Sequence, residues 1–233
     1  MKGKLYVVAT PIGNLSDITQ RAKDTLKSIP IILTEDTRKA GWLLKSLNIE
    51  NKQKIYAFNK DNEFIQVGKF LGELVNGSDI VLISNAGTPL ISDPGSQLVK
   101  YAHNNAIEVI PIPGPSSLCA ALSVSGVKLG PFVFMGFIPK KESEIISLLD
   151  SSLKINKAEK SINFFVSFVS SHNLNRLSKV LTDYFPTDSN FFLAQEMTKI
   201  NENISWLSSS ELKKIVGKKA KGEYVFGWII GKK

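Results

Sequence analysis

The stretch DIVLISNAGTPLISDPG, residues 79–95, decides how this chain is read. It opens on an apolar run of the kind that forms strands buried on both faces. Ser84, Asn85, Gly87, Pro89, Asp93, Pro94 and Gly95 then follow in quick succession. Small residues crowded after a buried strand let backbone come close to something: a phosphate, a phosphate-free cofactor, or only a tight turn. On both sides of the stretch, strand and helix signals alternate. KLYVVAT (4–10), PIILTED (30–36), KIYAF (54–58), DIVLIS (79–84) and IEVIPIP (107–113) read as strands. Helical spacing fills 15–29, 37–48, 63–77 and 95–105, and a further helix is expected over 115–126. Ser16 or Asp17 is the expected cap of the first helix, and Asp93 is expected to start the helix after the loop.

Such alternation defines an α/β class with a mostly parallel sheet covered on both faces. In open sheets of this kind, ligands sit beyond the carboxyl ends of the strands. Here those ends read TPIGN, TEDTR, SNAGTP and PGPSS. Four ends carrying small or polar residues predict one crevice rather than four unrelated turns. The alternation breaks at KLGPFVFMGFIPKK (128–141), and Gly130–Pro131 is a natural boundary. Two domains are therefore expected, 1–127 and 128–233. The second carries strand signals at 132–138, 162–168, 190–197 and 223–230, and helical signals over 142–153 and 173–185.

The chain's 233 residues can bury a real core. The single cysteine, Cys119, excludes an internal disulfide and reads as a small buried hydrophobe, and no Cys/His cluster has metal-binding spacing. The apolar run near Met1 is too short for a signal peptide, and no run is long enough to span a membrane, so a cytoplasmic protein is expected. The net charge is +8, of which +2 falls on residues 1–127 and +6 on 128–233. The excess gathers at 139–141, 212–214, 217–221 and 232–233. A polyanionic partner such as nucleic acid suits this distribution, as does a plain solvated lysine surface.

Familiar nucleotide motifs are missing. There is no G-x-x-x-x-G-K-[ST], and no G-x-G-x-x-G follows the first strand. Pro11, in the first loop, lacks the amide hydrogen that a phosphate loop uses. No Lys or Arg occurs within 79–99. These features disfavour a phosphate guest and suit a neutral or cationic ligand. S-adenosylmethionine is one, with a positive sulfonium and an adenosine that wants backbone donors and acceptors. Asn85, Thr88 and Ser92 could add side-chain hydrogen bonds.

TPIGNLSDITQRA (10–22), TEDTR (34–38), ISNAGTPLISDPG (83–95) and PIPGPSS (111–117) come in this order, followed by GFIPKK (136–141), QEMTK (195–199) and KGE (221–223). Together they resemble the ribosomal RNA small-subunit methyltransferase I family of the tetrapyrrole methylase superfamily. The resemblance implies two α/β domains with the S-adenosylmethionine cleft between them. It also implies 2′-O-methylation of a cytidine in the decoding region of 16S rRNA, and a homodimer. By resemblance Pro11 lines the cofactor cleft, and Ala86, Gly87, Thr88 and Ile91, with Asn85 beside them, form its glycine-rich loop. Ser116 and Ser117 follow the PGP turn, and Phe168 and Ala194 contribute from the second domain. The chain departs from the family pattern at Asn85, where an acid is usual, and at Val169, Asn173 and Gln195, where a glutamate and two arginines are usual.

Glu35 and Asp36 end a strand facing the expected crevice and are the candidates for catalytic base or substrate positioning. Helix capping is the competing role for Asp36. Arg21 and Arg38 are candidate phosphate contacts, against a solvated helix face, and His172 is a candidate RNA contact or proton shuttle, against a structural role. Asn59 reads as an ordinary turn, Asp93 is left outside the chemistry, and Trp42, Trp206 and Trp228 read as core. No metal is expected. Two other functions fit the residues: methylation of a tetrapyrrole precursor, and a non-catalytic protein that binds RNA or cofactor.

Overall fold

Five short strands, β1 (Leu5–Val8), β2 (Ile31–Thr34), β3 (Lys54–Ala57), β4 (Ile80–Leu82) and β5 (Val109–Ile112), pair in the order β3-β2-β4-β1-β5. Every pairing is parallel. Parallel neighbours need crossovers, and the helices α1 (Gln20–Ser28), α2 (Thr37–Ser46), α3 (Glu63–Val75) and α4 (Ser96–Asn104) supply them. Alternate strand residues face opposite ways, so each strand serves two cores. Val8, Ile32, Val81 and Ile83 pack with Ala22, Leu26, Ala40 and Leu44 of α1 and α2. Leu5, Leu33, Ile80 and Leu82 pack with Phe70, Leu74, Leu98 and Ala102 of α3 and α4. Full burial of each large apolar side chain contributes roughly 1.5–3 kcal/mol, which explains the near-continuous apolar strands. The computed structural model describes residues 1–49, 52–128, 130–186, 189–215 and 222–230. The expected basic clusters at 217–221 and 232–233, and Lys221 of the KGE motif, lie outside the described residues.

The first helix begins later than its spacing predicted. Leu15–Asp17 form a separate 3₁₀ turn capped by Asn14, whose side chain accepts from the Ser16 N–H. Thr19 caps α1 by accepting from the Ala22 N–H, so neither Ser16 nor Asp17 is its cap. The extended backbone at Ile18, with φ −67° and ψ 133°, separates the two turns.

The second sheet joins β6 (Phe132–Phe137), β7 (Phe164–Ser170), β8 (Asn190–Gln195), β9 (Asn203–Ser208) and β10 (Glu223–Ile229) in the order β6-β7-β10-β8-β9. Only β6 and β7 run parallel; the other three pairings are antiparallel. One face carries Phe165, Phe191, Leu193, Phe226 and Trp228 against α6 (Glu142–Ala158), α7 (Ser171–Tyr184) and α8 (Ser209–Ile215). Helix α6 runs past the expected 142–153, and β9 and α8 were not expected at all. Trp228 is core, as its sequence context predicted, and its indole N–H donates to the Ser152 hydroxyl at 3.1 Å.

The chain divides into two compact units, Met1–Ser116 and Ser117–Lys233. The helix α5 (Ser117–Val124) thus counts with the second unit, where it contacts β10, although the sequence reading drew the boundary at 127/128. Three side chains read as core are not. Cys119 is exposed on α5, which buries only Ala121 and Leu122. Trp42 is exposed on α2. Trp206 sits on the edge strand β9, partly open, with its indole N–H donating to the Ser125 carbonyl at 2.8 Å.

Candidate functional site

Three loops meet at the carboxyl edge of the first sheet. After β1, Thr10 exchanges two backbone hydrogen bonds with Gly87 of the loop after β4, each 2.9 Å long. From that same loop, the Thr88 hydroxyl donates to the carbonyl of Pro115, in the turn after β5, at 3.0 Å. Gly87 lies at φ +81°, and a Cβ there would stand 3.3 Å from Ile12 Cγ2. Only glycine lets the backbone take that conformation freely this close to its neighbour. Pro11, Gly87, Thr88 and the PGP turn are thus brought together, with Asn85, Ala86 and Ile91 exposed beside them. Ser116 follows Pro115, and Ser117 opens α5.

The loop is also strained. Leu90 and Ser92 both adopt left-handed conformations, at φ 70° and 73°. Such positions cost of order 1–3 kcal/mol each and persist only where the surroundings hold them. Gly95, at φ +121°, ends the loop, and a Cβ there would meet Leu82 Cδ2 at 2.6 Å. The far end is clamped by Glu63 of α3, whose Oε1 accepts from the N–H groups of Gly95 and Gln97 at 3.1 Å each. Glu63 therefore serves the first turn of α4, the task that sequence reading gave to Asp93.

Asp93 turns back to the strand ends instead. Its carboxyl is half-buried and lies in the field of Glu35. Burial first, and then the negative charge of Glu35, push its pKa up to about 6, against smaller opposing effects of Ser84 and Lys60. Glu35 is held by the Asn85 N–H, which donates to Oε1 at 3.2 Å. Glu35, just past β2, thus acts on the carboxyl of Asp93, in the loop after the neighbouring β4, and Asp93 is an acid that sequence reasoning left outside the chemistry. The signal was an acid in a small-residue loop beside a strand whose own end is acidic.

Asp36 is occupied otherwise. Its side chain caps α2 by accepting from the Arg38 N–H at 2.9 Å, and it pairs with the Arg38 guanidinium at 2.8 Å. The Arg38 side chain, then its backbone N–H, hold this carboxyl down at about 2. An acid so weakly basic is a poor proton acceptor at neutral pH. Arg38 is correspondingly engaged, whereas Arg21 lies exposed on α1. Asn59 builds a turn, accepting from the N–H groups of Asp61 and Asn62.

In the second unit, Phe168 lies on β7 in edge contacts with Phe134 and Phe137, and Ala194 is fully buried on β8. His172 is exposed in the first turn of α7. Asn173, one of the departures noted above, is buried and donates to the Ile138 carbonyl at 3.1 Å. Arg176, one turn on, reaches the Lys140 carbonyl and Asn173. Gln195 and Glu196 lead into a turn in which Lys199 bridges Glu196 and Glu223 at 2.9 and 3.0 Å.

A family model for tetrapyrrole (corrin/porphyrin) methylases matches residues 4–212, and the chain belongs to that family. It is 37% identical over 225 residues to the ribosomal RNA small subunit methyltransferase I of Leptospira biflexa, covering 97% of this chain and 90% of that protein. The protein of the same name from Mesomycoplasma conjunctivae is 41% identical over 203 residues, covering 86% and 80%. Within the tetrapyrrole methylases, the chain is thus a member of the ribosomal RNA small subunit methyltransferase I family. Solved structures of uroporphyrin-III C-methyltransferase from Thermus thermophilus share the fold. One has a TM-score of 0.64 at 17% identity, covering 98% of this chain and 92% of that one. Another, at 16% identity with the same TM-score, is a complex with S-adenyl homocysteine.

Proposed function

We propose that this protein is an S-adenosylmethionine-dependent methyltransferase that methylates the 2′-hydroxyl of a cytidine in the decoding region of 16S rRNA. The observation that carries this reading is the 37–41% identity, over most of the chain, to relatives named ribosomal RNA small subunit methyltransferase I. The residues at the carboxyl edge of the first sheet suit that cofactor. Asn85 and Ala86 lie exposed beside a buried Gly87 whose backbone is fixed by Thr10, and the loop has no Lys or Arg that would favour a phosphate. When bound, S-adenosylmethionine supplies an electrophilic methyl group.

This chain's part is to hold the ribose hydroxyl in line and to take up its proton. Glu35 fits that second task better than Asp36, because the Asn85 N–H holds it in place without tying it to a guanidinium. Arg21 and His172, both exposed, are the proposed RNA contacts; Arg38 becomes one only by exchanging its carboxylate partner for a phosphate. Pro11, Ser116, Ser117, Phe168 and Ala194 remain proposed cofactor contacts. A homodimer and a cytoplasmic location are proposed by resemblance. A tetrapyrrole precursor is the second reading, but the solved structures named for that chemistry share only 14–17% identity with this chain.

The test uses purified protein, labelled S-adenosylmethionine and small ribosomal subunits lacking the modification, followed by ribose-methylation mapping. Label at one cytidine of 16S rRNA is the expected result. No label in rRNA, with label in a tetrapyrrole precursor, overturns the proposal.

A further inference from the structure

The guanidinium of Arg176 is fixed in place without a carboxylate. Its Nη1 donates to the carbonyl of Lys140, in the connection from β6 to α6, and to Asn173 Oδ1 on its own helix at 3.2 Å. Asn173 is buried, and its Nδ2 donates to the Ile138 carbonyl at 3.1 Å. The side chain of Asn173 thus links the segment after β6 to the arginine. Both acceptors of Arg176 are neutral, and together they use the two hydrogens of Nη1. Nε and Nη2 have no partner among the described residues. Their N–H groups lie side by side on one edge of the planar group, the fork that grips two oxygens of one phosphate.

The neighbouring charges leave this fork in a positive field. The acids at the start of α6 are already taken: Glu142 pairs with Lys179 at 3.3 Å, and Glu144 with Lys141 at 3.2 Å. Lys140 is exposed and makes no ion pair among the described residues. His172, also exposed, stands one turn before Arg176 on the same face of α7. A bond that only stapled α7 to the segment after β6 would need one donor, and a glutamine could supply it. The open, uncompensated edge of the guanidinium is what such a staple leaves unexplained.

We propose that Arg176 is a phosphate contact for the RNA backbone, its fork held open by Asn173 and the Lys140 carbonyl, with the Lys140 ammonium adding a second cation to the same patch. The departure at position 173, where an arginine is usual, is then a displacement of charge rather than a loss. The guanidinium stands one turn further along α7, and Asn173 has become its bracket.

The inference rests on the rRNA substrate proposed above, and its test reads binding rather than turnover. Filter binding of the full chain to small ribosomal subunits lacking the modification is measured over a series of salt concentrations. Arg176→Gln keeps a donor for the Lys140 carbonyl but carries no charge. Its affinity should fall about tenfold, and its salt dependence should become shallower by about one counterion. Its melting temperature and its affinity for S-adenosylmethionine should stay as in wild type. Lys140→Gln should also flatten the salt dependence. Lys179→Gln removes a cation that already has a carboxylate, so its slope should match wild type. An unchanged slope in folded Arg176→Gln overturns the inference, as does a Lys179→Gln slope flattened equally, which would mean that only net charge is being read. If Arg176→Gln fails to fold, Lys140→Gln decides, and an unchanged slope there overturns the inference. Calorimetry with inorganic phosphate alone separates the sources of the ligand. Saturable phosphate binding that Arg176→Gln abolishes, with subunit affinity unchanged, assigns the fork to a small anion and overturns the RNA contact. No binding of the wild-type chain to small subunits overturns the substrate reading beneath it.

Discussion

The backbones of Thr10 and Gly87 hydrogen-bond each other in both directions, tying the loop after β1 to the loop after β4 across the carboxyl edge of the sheet. This one bridge fixes the spacing of the proposed cofactor wall. Gly87→Ala puts a Cβ at φ +81° and 3.3 Å from Ile12 Cγ2. The left-handed conformation alone costs about 1–2 kcal/mol for an alanine. The expected outcome is a melting temperature lowered by several degrees and a larger, disproportionate loss of S-adenosylmethionine affinity by calorimetry. Unchanged affinity in a folded variant removes this loop from the cofactor site.

Glu35 and Asp36 are neighbours in sequence with separable tasks. Glu35→Gln keeps the shape and can still accept from the Asn85 N–H, but it cannot take a proton. Methyl transfer to small subunits should fall by about 10²-fold or more, the usual range for loss of a general base, with little change in melting temperature. Asp36→Ala removes the cap of α2 and frees Arg38, so stability should fall while turnover is largely kept. The sign of its pH dependence follows from the depressed pKa. The Asp36 contribution is present above the ordinary carboxylate range and is lost as pH falls toward about 2. The difference in melting temperature between wild type and Asp36→Ala should therefore shrink under acid. If Asp36→Ala abolishes turnover and Glu35→Gln does not, the roles are reversed.

Much of the first unit was legible because its strands are buried on both faces. Val8, Ile32 and Val81 point one way and Leu5, Leu33 and Leu82 the other, which leaves apolar runs that cannot be read as anything amphipathic. Less of the second unit was legible. β9 is an edge strand whose Ile204 and Trp206 remain partly exposed, so tertiary pairing with β8 rather than a strong apolar signal defines it. Within the site, the glycine-rich loop could be read because glycine and proline announce themselves. The link between Asp93 and Glu35 could not, since it arises from the adjacency of β2 and β4, strands separated in sequence by β3. Likewise, Glu63 displaced Asp93 from the start of α4 through a contact between α3 and α4 that no local pattern encodes.

Asp93 also makes a prediction about stability. Its pKa in the folded protein is raised to about 6 from an ordinary 3.8. The folded state therefore holds this proton more tightly than the unfolded chain. The resulting stabilisation is fully present below the ordinary value and is lost as pH rises through about 6. At neutral pH the ionised carboxyl is thus a net cost, about 1 kcal/mol once solvent screening at a half-exposed group is allowed for. Asp93→Asn should be more stable than wild type at pH 7, and the gain should vanish below about pH 4. Denaturant unfolding at the two pH values checks this, and a variant less stable at pH 7 would contradict the raised pKa.

Glu196 and Gly222 form a lock that explains why the QEMTK and KGE segments belong together. Gly222 is at φ +98°, and a Cβ there would stand 2.4 Å from Glu196 Cδ. The Glu196 carboxylate cannot easily move away. Its Oε1 accepts from the Glu223 N–H at 2.8 Å and from Lys199 Nζ at 2.9 Å. Glu196 is itself left-handed at φ 49°, and its N–H donates to the Glu223 carbonyl at 2.9 Å. Gly222→Ala should therefore cost the conformational strain of about 1–2 kcal/mol and, in addition, the displacement of a bonded carboxylate. A double-mutant cycle separates the two. In a Glu196→Ala background the obstructing side chain is gone, and Gly222→Ala should cost only the conformational part. Equal costs in the two backgrounds would mean that the carboxylate yields freely and that the glycine is required by its backbone conformation alone.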